Sequence, residues 1–247
     1  VRCVLTAGSQ VIALNIPYFT FIPYFTTVPY NAIPLDAATA ALLNGGFAEY
    51  NGGLLLAEAG GFITASERAA RTINFVEGYN AVTIVDDYLT DLSALGAPSY
   101  RQATADDLVI LPASTFLGTV VGGNPTLVNG LSVPLEDNWV LSSNEVSEVT
   151  VAVDQYNVTI AQLAAQKGIA FADANSIMQE IAAGGLPFDE FTMKSNLVFG
   201  LTFSLDGVHP TQRGYAFIAN EMLKAIDITY GSNFVDAGAL LKAADYT

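Results

Sequence analysis

The chain alternates short, continuous apolar runs with stretches in which apolar residues recur every three or four positions. Residues 11–16 (VIALNI) are a continuous run ended by Pro17, the pattern of a strand buried on both faces, as in a parallel sheet. Residues 18–34 are rich in aromatics and proline and read as an extended excursion. Residues 36–59 have helical spacing, weakened by glycine pairs at 45–46 and 52–53. TASERAARTI (64–73) predicts a short helix with Thr64 at its N-cap and Glu67 three residues on. NAVTIVDDYL (80–89) holds another apolar strand, and residues 96–141, mixing Gly, Pro, Asn and short apolar runs, read as hairpins and loops.

The period is clearest beyond residue 142. Val146, Val149, Val153, Tyr156, Ile160 and Leu163 alternate in steps of three and four, which is one face of an amphipathic helix. Ser142 and Glu145 fit a capping box at its start and Gly168 a stop at its end. IAFADA (169–174) is a short strand, and SIMQEIAAGG from Ser176 a second helix. Thr211 opens a third helix through about Ile226, with Tyr215, Ile218, Ala219, Met222 and Ile226 inward. Strands alternating with helices imply an α/β three-layer sandwich with a mostly parallel sheet. FAEYNGG and VDQYNVT share a Tyr-Asn pair, read as a chance likeness of two helices. Asn157 opens a glycosylation sequon that falls inside a helix.

Composition narrows the partners. With 247 residues, 51% of them hydrophobic, the chain can bury a sizeable core as one large domain or two small ones. Nine basic residues against 24 acidic ones leave a formal charge of −15, which repels phosphate backbones and argues against nucleic acid. Cys3 has no second cysteine to pair with and lies in the apolar run VRCVL, so it reads as a small buried hydrophobe. No stretch suits a membrane span, because the most apolar one contains Pro17, Pro23 and Pro29. The chain begins at Val1 with neither Met nor a basic leader, so a processed or cut chain is expected. The acidic charge and lone cysteine fit an exported or cell-envelope bacterial protein as well as a cytosolic one.

The one histidine stands in FSLDGVHPTQRGYAFIANEM (203–222), three residues after Asp206 and directly before Pro210. A serine hydrolase needs a hydroxyl nucleophile, an imidazole to take its proton and a carboxylate to hold the imidazole's tautomer. In a loop before a helix, Asp206 can fold back to accept from Nδ1 of His209, leaving Nε2 free, while Gly207 supplies the turn. The alternative is an ordinary turn histidine. Asp-Gly-Val-His-Pro-Thr, two residues, then Gly-Tyr and an amphipathic helix resembles the closing block of the SGNH (GDSL) hydrolase family of esterases and lipases. ALNIPYF (13–19) is similar to that family's strand ending in an Asn-x-Pro turn, and the helix around DQYNVTIAQLAAQKG with IAFADANSI resembles the elements before its closing loop. The resemblance implies a flavodoxin-like fold, with Asp206 as the orienting acid and His209 as the general base. It implies no cofactor, and a small-molecule, lipid or acyl-sugar ester as substrate. It covers residues 1–20 and about 143–230, so residues 21–142 read as an insertion or lid within a single domain.

The family's other named residues are missing. No Gly-Asp-Ser occurs; Ser9, in Ala7-Gly8-Ser9, precedes a strand, whereas sites on parallel sheets lie at carboxyl ends. Asn15 sits in the wrong motif, Asn124 in GGNP lacks the companion aspartate, and Ser204 lies on the strand side of the turn. The expectation is therefore the C-terminal portion of a serine ester hydrolase, with the nucleophile upstream of Val1, the oxyanion hole unassigned and the chain inactive alone. The competing class is a non-catalytic binding or surface module that has lost the nucleophile, with YFTFIPYFTTVPY as its aromatic platform. A zinc site is disfavoured by a single histidine. Asp86-Asp87 and Asp106-Asp107 read as solvated acidic pairs in preference to calcium ligands, and Asp173 competes with Asp206 as the triad acid.

Overall fold

The computed structural model describes residues 8–246; the readings of Cys3 and Ala7 fall outside them. In chain order the elements are β1 (Ile12–Leu14), α1 (Pro23–Thr26), β2 (Ile33–Leu35), α2 (Ala37–Gly46) and α3 (Ala48–Ala59). They continue with α4 (Ala65–Arg71), β3 (Gly78–Asn80), β4 (Thr83–Val85), β5 (Tyr100–Gln102), β6 (Leu108–Val109) and β7 (Val140–Leu141). Then come α5 (Ser143–Lys167), β8 (Ala170–Ala172), α6 (Ala174–Ala183), β9 (Leu186–Phe188), β10 (Phe191–Met193) and α7 (Gln212–Tyr230).

Helix starts follow the caps. Thr64 Oγ1 accepts from the N–H of Glu67 at 3.1 Å, and Asp36 from that of Thr39 at 2.6 Å. At α5 the box closes both ways, with Ser142 N–H donating to Glu145 Oε2 (2.7 Å) and Glu145 N–H to Ser142 Oγ (3.4 Å). The excursion 18–34 is less extended than its composition suggests. It contains a 3₁₀ turn at Phe19–Phe21 and then α1, where Pro23 stands at the first helical position with its φ already suited to a helix. The span 36–59 is two helices, broken at Phe47, whose ring is buried against Phe75 at 5.9 Å. IAFADA shortens to three strand residues because Asp173 leaves the strand to cap α6.

The described residues form two compact units, one made of those up to Thr27 and from Glu148 onward, the other of Val28–Ser147. In the first, β1 and β8 pair in parallel, Ile12 opposite Ala170 and Leu14 opposite Ala172. The mostly parallel sheet expected from the pattern is met by this ladder only in part, because the other four ladders among the described residues are antiparallel. Helix α7 packs on both strands. At its C-terminal end Tyr230 OH accepts from the N–H groups of Val11 and Ala170 (3.2 Å each) and donates to Val11 O (2.6 Å). That pins the end of α7 to the amino ends of the strands. The helix therefore runs against them, and its N-terminus lies toward their carboxyl ends. Met178, Ile181, Phe188, Met193, Phe203 and Phe217 form the core, with Phe21 and Ile22 packed on it.

The second unit is built on three antiparallel ladders, β2–β3, β4–β5 and β6–β7, around Leu43, Ile73, Val82, Ile84, Val109 and Leu135. The acidic pairs are not simply solvated. Asp86 and Asp107 are buried on Arg101, whose Nε donates to Asp86 Oδ2 (2.5 Å) and whose two terminal nitrogens donate to Asp107 (2.7 Å each); Asp87 and Asp106 remain exposed. Burial alone would raise the Asp107 pKa, but the bonds from Arg101 and from the N–H of Thr104 and Ser143 hold it below the ordinary value. Arg71 is also buried, its guanidinium capping the carbonyls of Thr90 and Pro98 at 2.8 Å.

Candidate active site

The closing loop is a tight turn built on its own backbone. Phe203 and Pro210 bridge, Ser204 N–H donates to His209 O (2.7 Å), and Gly207 N–H donates to Ser204 O (3.0 Å). The loop carries Asp206 and His209 face to face, with Asp206 Oδ2 2.7 Å from His209 Nδ1. An ionised carboxylate only accepts, so Nδ1 is the protonated nitrogen and Nε2 carries the lone pair. Asp206 Oδ1 accepts three more bonds: 2.9 Å from the N–H of Val208, 2.9 Å from that of His209 and 2.7 Å from the Ser204 hydroxyl. The Val208 N–H, then the imidazole, the Ser204 hydroxyl and the His209 N–H together hold the carboxyl well below the usual carboxylate range. Both side chains are accessible, 71% exposed for His209 and 50% for Asp206. Among the described residues no bond to Nε2 is made.

Helix α7 fixes where this loop points. Thr211 Oγ1 accepts from Gly214 N–H (3.0 Å) and donates to Leu201 O (2.6 Å), joining the helix cap to the preceding chain. Gly214 is required by space: a Cβ there would meet Thr202 O at 2.4 Å. This accounts for the glycine three residues after the capping threonine. On its other side the loop meets α1, where Tyr24 N–H donates to Gly207 O at 3.0 Å. Because α7 runs against β1 and β8, the Asp206–His209 pair lies on the carboxyl-end side of the parallel strands. A mostly apolar cavity of ≈ 190 Å³ occupies the same side, lined in part by Leu14, Ile177, Met178, Phe217 and Ile218.

The other candidates are placed as follows. Asp173 caps α6 through Ser176 N–H (3.0 Å) and accepts from Asn15 Nδ2 (2.7 Å), so the carboxylate on His209 is that of Asp206. Burial pushes the Asp173 pKa up, and the bonds from Ser176 and Asn15 outweigh it and lower it. Asn15 is engaged at both ends of its amide, its Oδ1 accepting from Asn175 N–H at 2.9 Å. Ser204 gives its hydroxyl to Asp206 and not to the ring. Ser9 is exposed just before Val11, at the strand end where Tyr230 sits, opposite to the dyad. Asn124 closes its own turn onto Thr126. Asn157 grips Ile16 with both amide atoms, accepting from its N–H and donating to its O at 2.8 Å each.

Two contacts at the site were not anticipated from sequence, the Ser204–Asp206 bond and the Tyr24–Gly207 bond. The first has a signal, since a serine two residues before an aspartate lies within reach of its carboxylate where the chain turns, as it does here between Ser204 and Gly207. The second joins positions 183 residues apart and has none. Among the described residues no group of three or more His, Cys, Asp or Glu side chains is disposed to hold a metal ion. No helix among the described residues is long and apolar enough to cross a membrane. Comparisons with protein-family models, with curated proteins and with solved structures return no match to this chain.

Proposed function

We propose that Asp206 and His209 are the acid and base of a serine ester hydrolase of the SGNH type, acting on a nucleophilic serine supplied by chain upstream of Val1. The observation that carries this reading is the dyad: Nδ1 of the only histidine in the sequence held at 2.7 Å by an ionised carboxylate, in an exposed side chain whose Nε2 makes no bond among the described residues. In this reading Nε2 takes the proton of the serine hydroxyl as its oxygen attacks the ester carbonyl. The imidazolium so formed is stabilised by Asp206, which stays ionised, and returns the proton to the leaving alcohol. Water then repeats the sequence to release the acid and restore the serine. The fold that goes with this reading is a three-layer sandwich in which β1 and β8 belong to a larger parallel sheet, with residues 21–142 as an insertion or lid.

The test is labelling by a fluorophosphonate probe and turnover of a p-nitrophenyl ester. A chain extended by its upstream sequence should label at one serine, and His209→Ala should lower turnover by about 10³-fold or more while circular dichroism stays unchanged. Residues 1–247 alone should not label. Near-normal turnover by the extended His209→Ala variant would remove the histidine from the mechanism. Absence of labelling in the extended wild type would leave the binding-module alternative.

A further inference from the structure

The dyad loop is well braced from within, by the bonds among Ser204, Gly207 and His209 and by the three donors on Asp206 Oδ1. On the opposite side one backbone contact ties it to a distant segment. Tyr24, in the short helical turn α1, donates its N–H to Gly207 O at 3.0 Å. The approach is close: a Cβ on residue 207 would meet Tyr24 N at 2.6 Å, Tyr24 Cα at 3.0 Å and the Pro23 carbonyl carbon at 3.1 Å. All three are backbone atoms, which cannot swing aside as a side chain can. Gly207 also has φ +73°, a conformation that side-chain-bearing residues seldom adopt. The partner segment is itself anchored: Pro23 is buried, Phe21 and Ile22 pack on the core of the same unit, and Phe19 and Tyr24 both make edge contacts with Phe25.

We infer that Gly207 and the turn Pro23–Thr26 are positioning elements of the dyad: the Tyr24–Gly207 contact sets the loop so that the Asp206 carboxylate faces Nδ1. The inference rests on the hydrolase reading for its purpose, but the geometry it concerns can be measured without catalysis. Substituting Gly207 would push residues 206–208 away from α1, which turns the carboxylate relative to the ring, although neither catalytic side chain is altered. The aromatic segment, which shares no sequence neighbourhood with the closing loop, thereby has a defined role.

Because the chain has one histidine, long-range ¹⁵N–¹H correlation spectra of residues 1–247 report on His209 alone. Recorded above the pH at which the ring is protonated, the wild type should show a single tautomer, with Nδ1 protonated. Gly207→Ala should lose that single-tautomer signature and show the Nε2-protonated form beside it. Gly231→Ala, which imposes the same left-handed strain at φ +67° with nothing within 4 Å, should keep the wild-type spectrum. So should Tyr24→Ala, which retains the backbone donor. If Gly207→Ala fails to fold, Pro23→Gly, which loosens the turn that presents the donor, decides in its place and should lose the signature. The inference is overturned by a folded Gly207→Ala or Pro23→Gly protein with the wild-type spectrum. An equal effect in Gly231→Ala or in Tyr24→Ala overturns it as well. Should the spectra behave as expected while the extended chain fails to label, the positioning role stands and the hydrolase reading falls.

Discussion

At the scale of the residue, the arrangement depends on Asp206 being an acceptor at both oxygens. Its Oδ1 takes two backbone N–H groups and a hydroxyl, which fixes the plane of the carboxylate, and Oδ2 is left for Nδ1. Asp206→Asn keeps the shape but places an NH₂ where Oδ2 stood. The three donors hold the amide oxygen at the Oδ1 position, so the NH₂ faces the ring and Nδ1 must accept. The proton then resides on Nε2, the atom that has to be unprotonated to act as a base. In the extended chain this variant is expected to lose about 10⁴-fold in turnover. In residues 1–247 alone the ¹⁵N spectrum should show the opposite tautomer, and an unchanged tautomer would remove Asp206 from its orienting role. The Asp-x-x-His spacing made this pair legible in the sequence, because three residues of loop bring the carboxylate back to the ring. Ser204, on the strand side of the turn, gives its hydroxyl to Asp206 and not to the ring.

At the scale of the element, side-chain amides do work that strands do elsewhere. Residues 73–76 belong to no helix or strand, yet their backbone is paired by side chains. Asn51 grips Ile73 (3.1 and 2.8 Å), Asn44 grips Phe75 (both 2.8 Å), Gln102 accepts from Asn74 and Asn80 accepts from Val76. Asn157 on Ile16 and Asn220 on Leu241 repeat the two-bond grip. Ile73 and Phe75 are only 1% and 2% exposed, so their polar backbone groups have little water to turn to. Asn51→Ala or Asn44→Ala is therefore expected to lower stability by about 1–3 kcal/mol, readable as a reduced urea midpoint. An exposed asparagine such as Asn124, replaced in the same way, should change it far less. Hydrophobic periodicity is blind to this device. It registers Asn51 and Asn157 only as polar interruptions in helices, which is why the shared Tyr-Asn pair looked like chance although both asparagines do the same task. Arg101 was missed for a related reason: nothing in VDD or ADD says which aspartate turns inward. Arg101→Met, which leaves Asp86 and Asp107 buried and unpaired, should cost about 3–5 kcal/mol. Retention of the wild-type midpoint would mean that water replaces the guanidinium.

At the scale of the whole molecule, charge and carboxylate bonding pull in opposite directions as pH falls. The formal charge of −15 repels itself at neutral pH, and protonation toward the pI of about 4.1 relieves that repulsion. Against this, Asp36, Asp107, Asp173, Asp206 and Asp227 all have folded pKa values lowered by their hydrogen bonds. Groups with depressed values contribute stability that is present above the unfolded carboxylate pKa of about 3.9 and is lost as pH drops through the folded values. Relief of repulsion comes first and loss of bonded carboxylates second, so stability should hold or rise from pH 7 to about 4 and fall below it. Each unit carries one reporter, His209 in the first and Trp139, edge-on to Phe116 at 4.8 Å, in the second. The second unit contains the buried pair of Asp107 and Arg101. The Trp139 emission should accordingly shift on acidification below pH about 4, and in Arg101→Met, where Asp107 no longer has its cation, the shift should begin at higher pH. A Trp139 transition at the same pH in both proteins would show that Asp107 does not set the acid limit of that unit, and the exposed carboxylates would have to account for it.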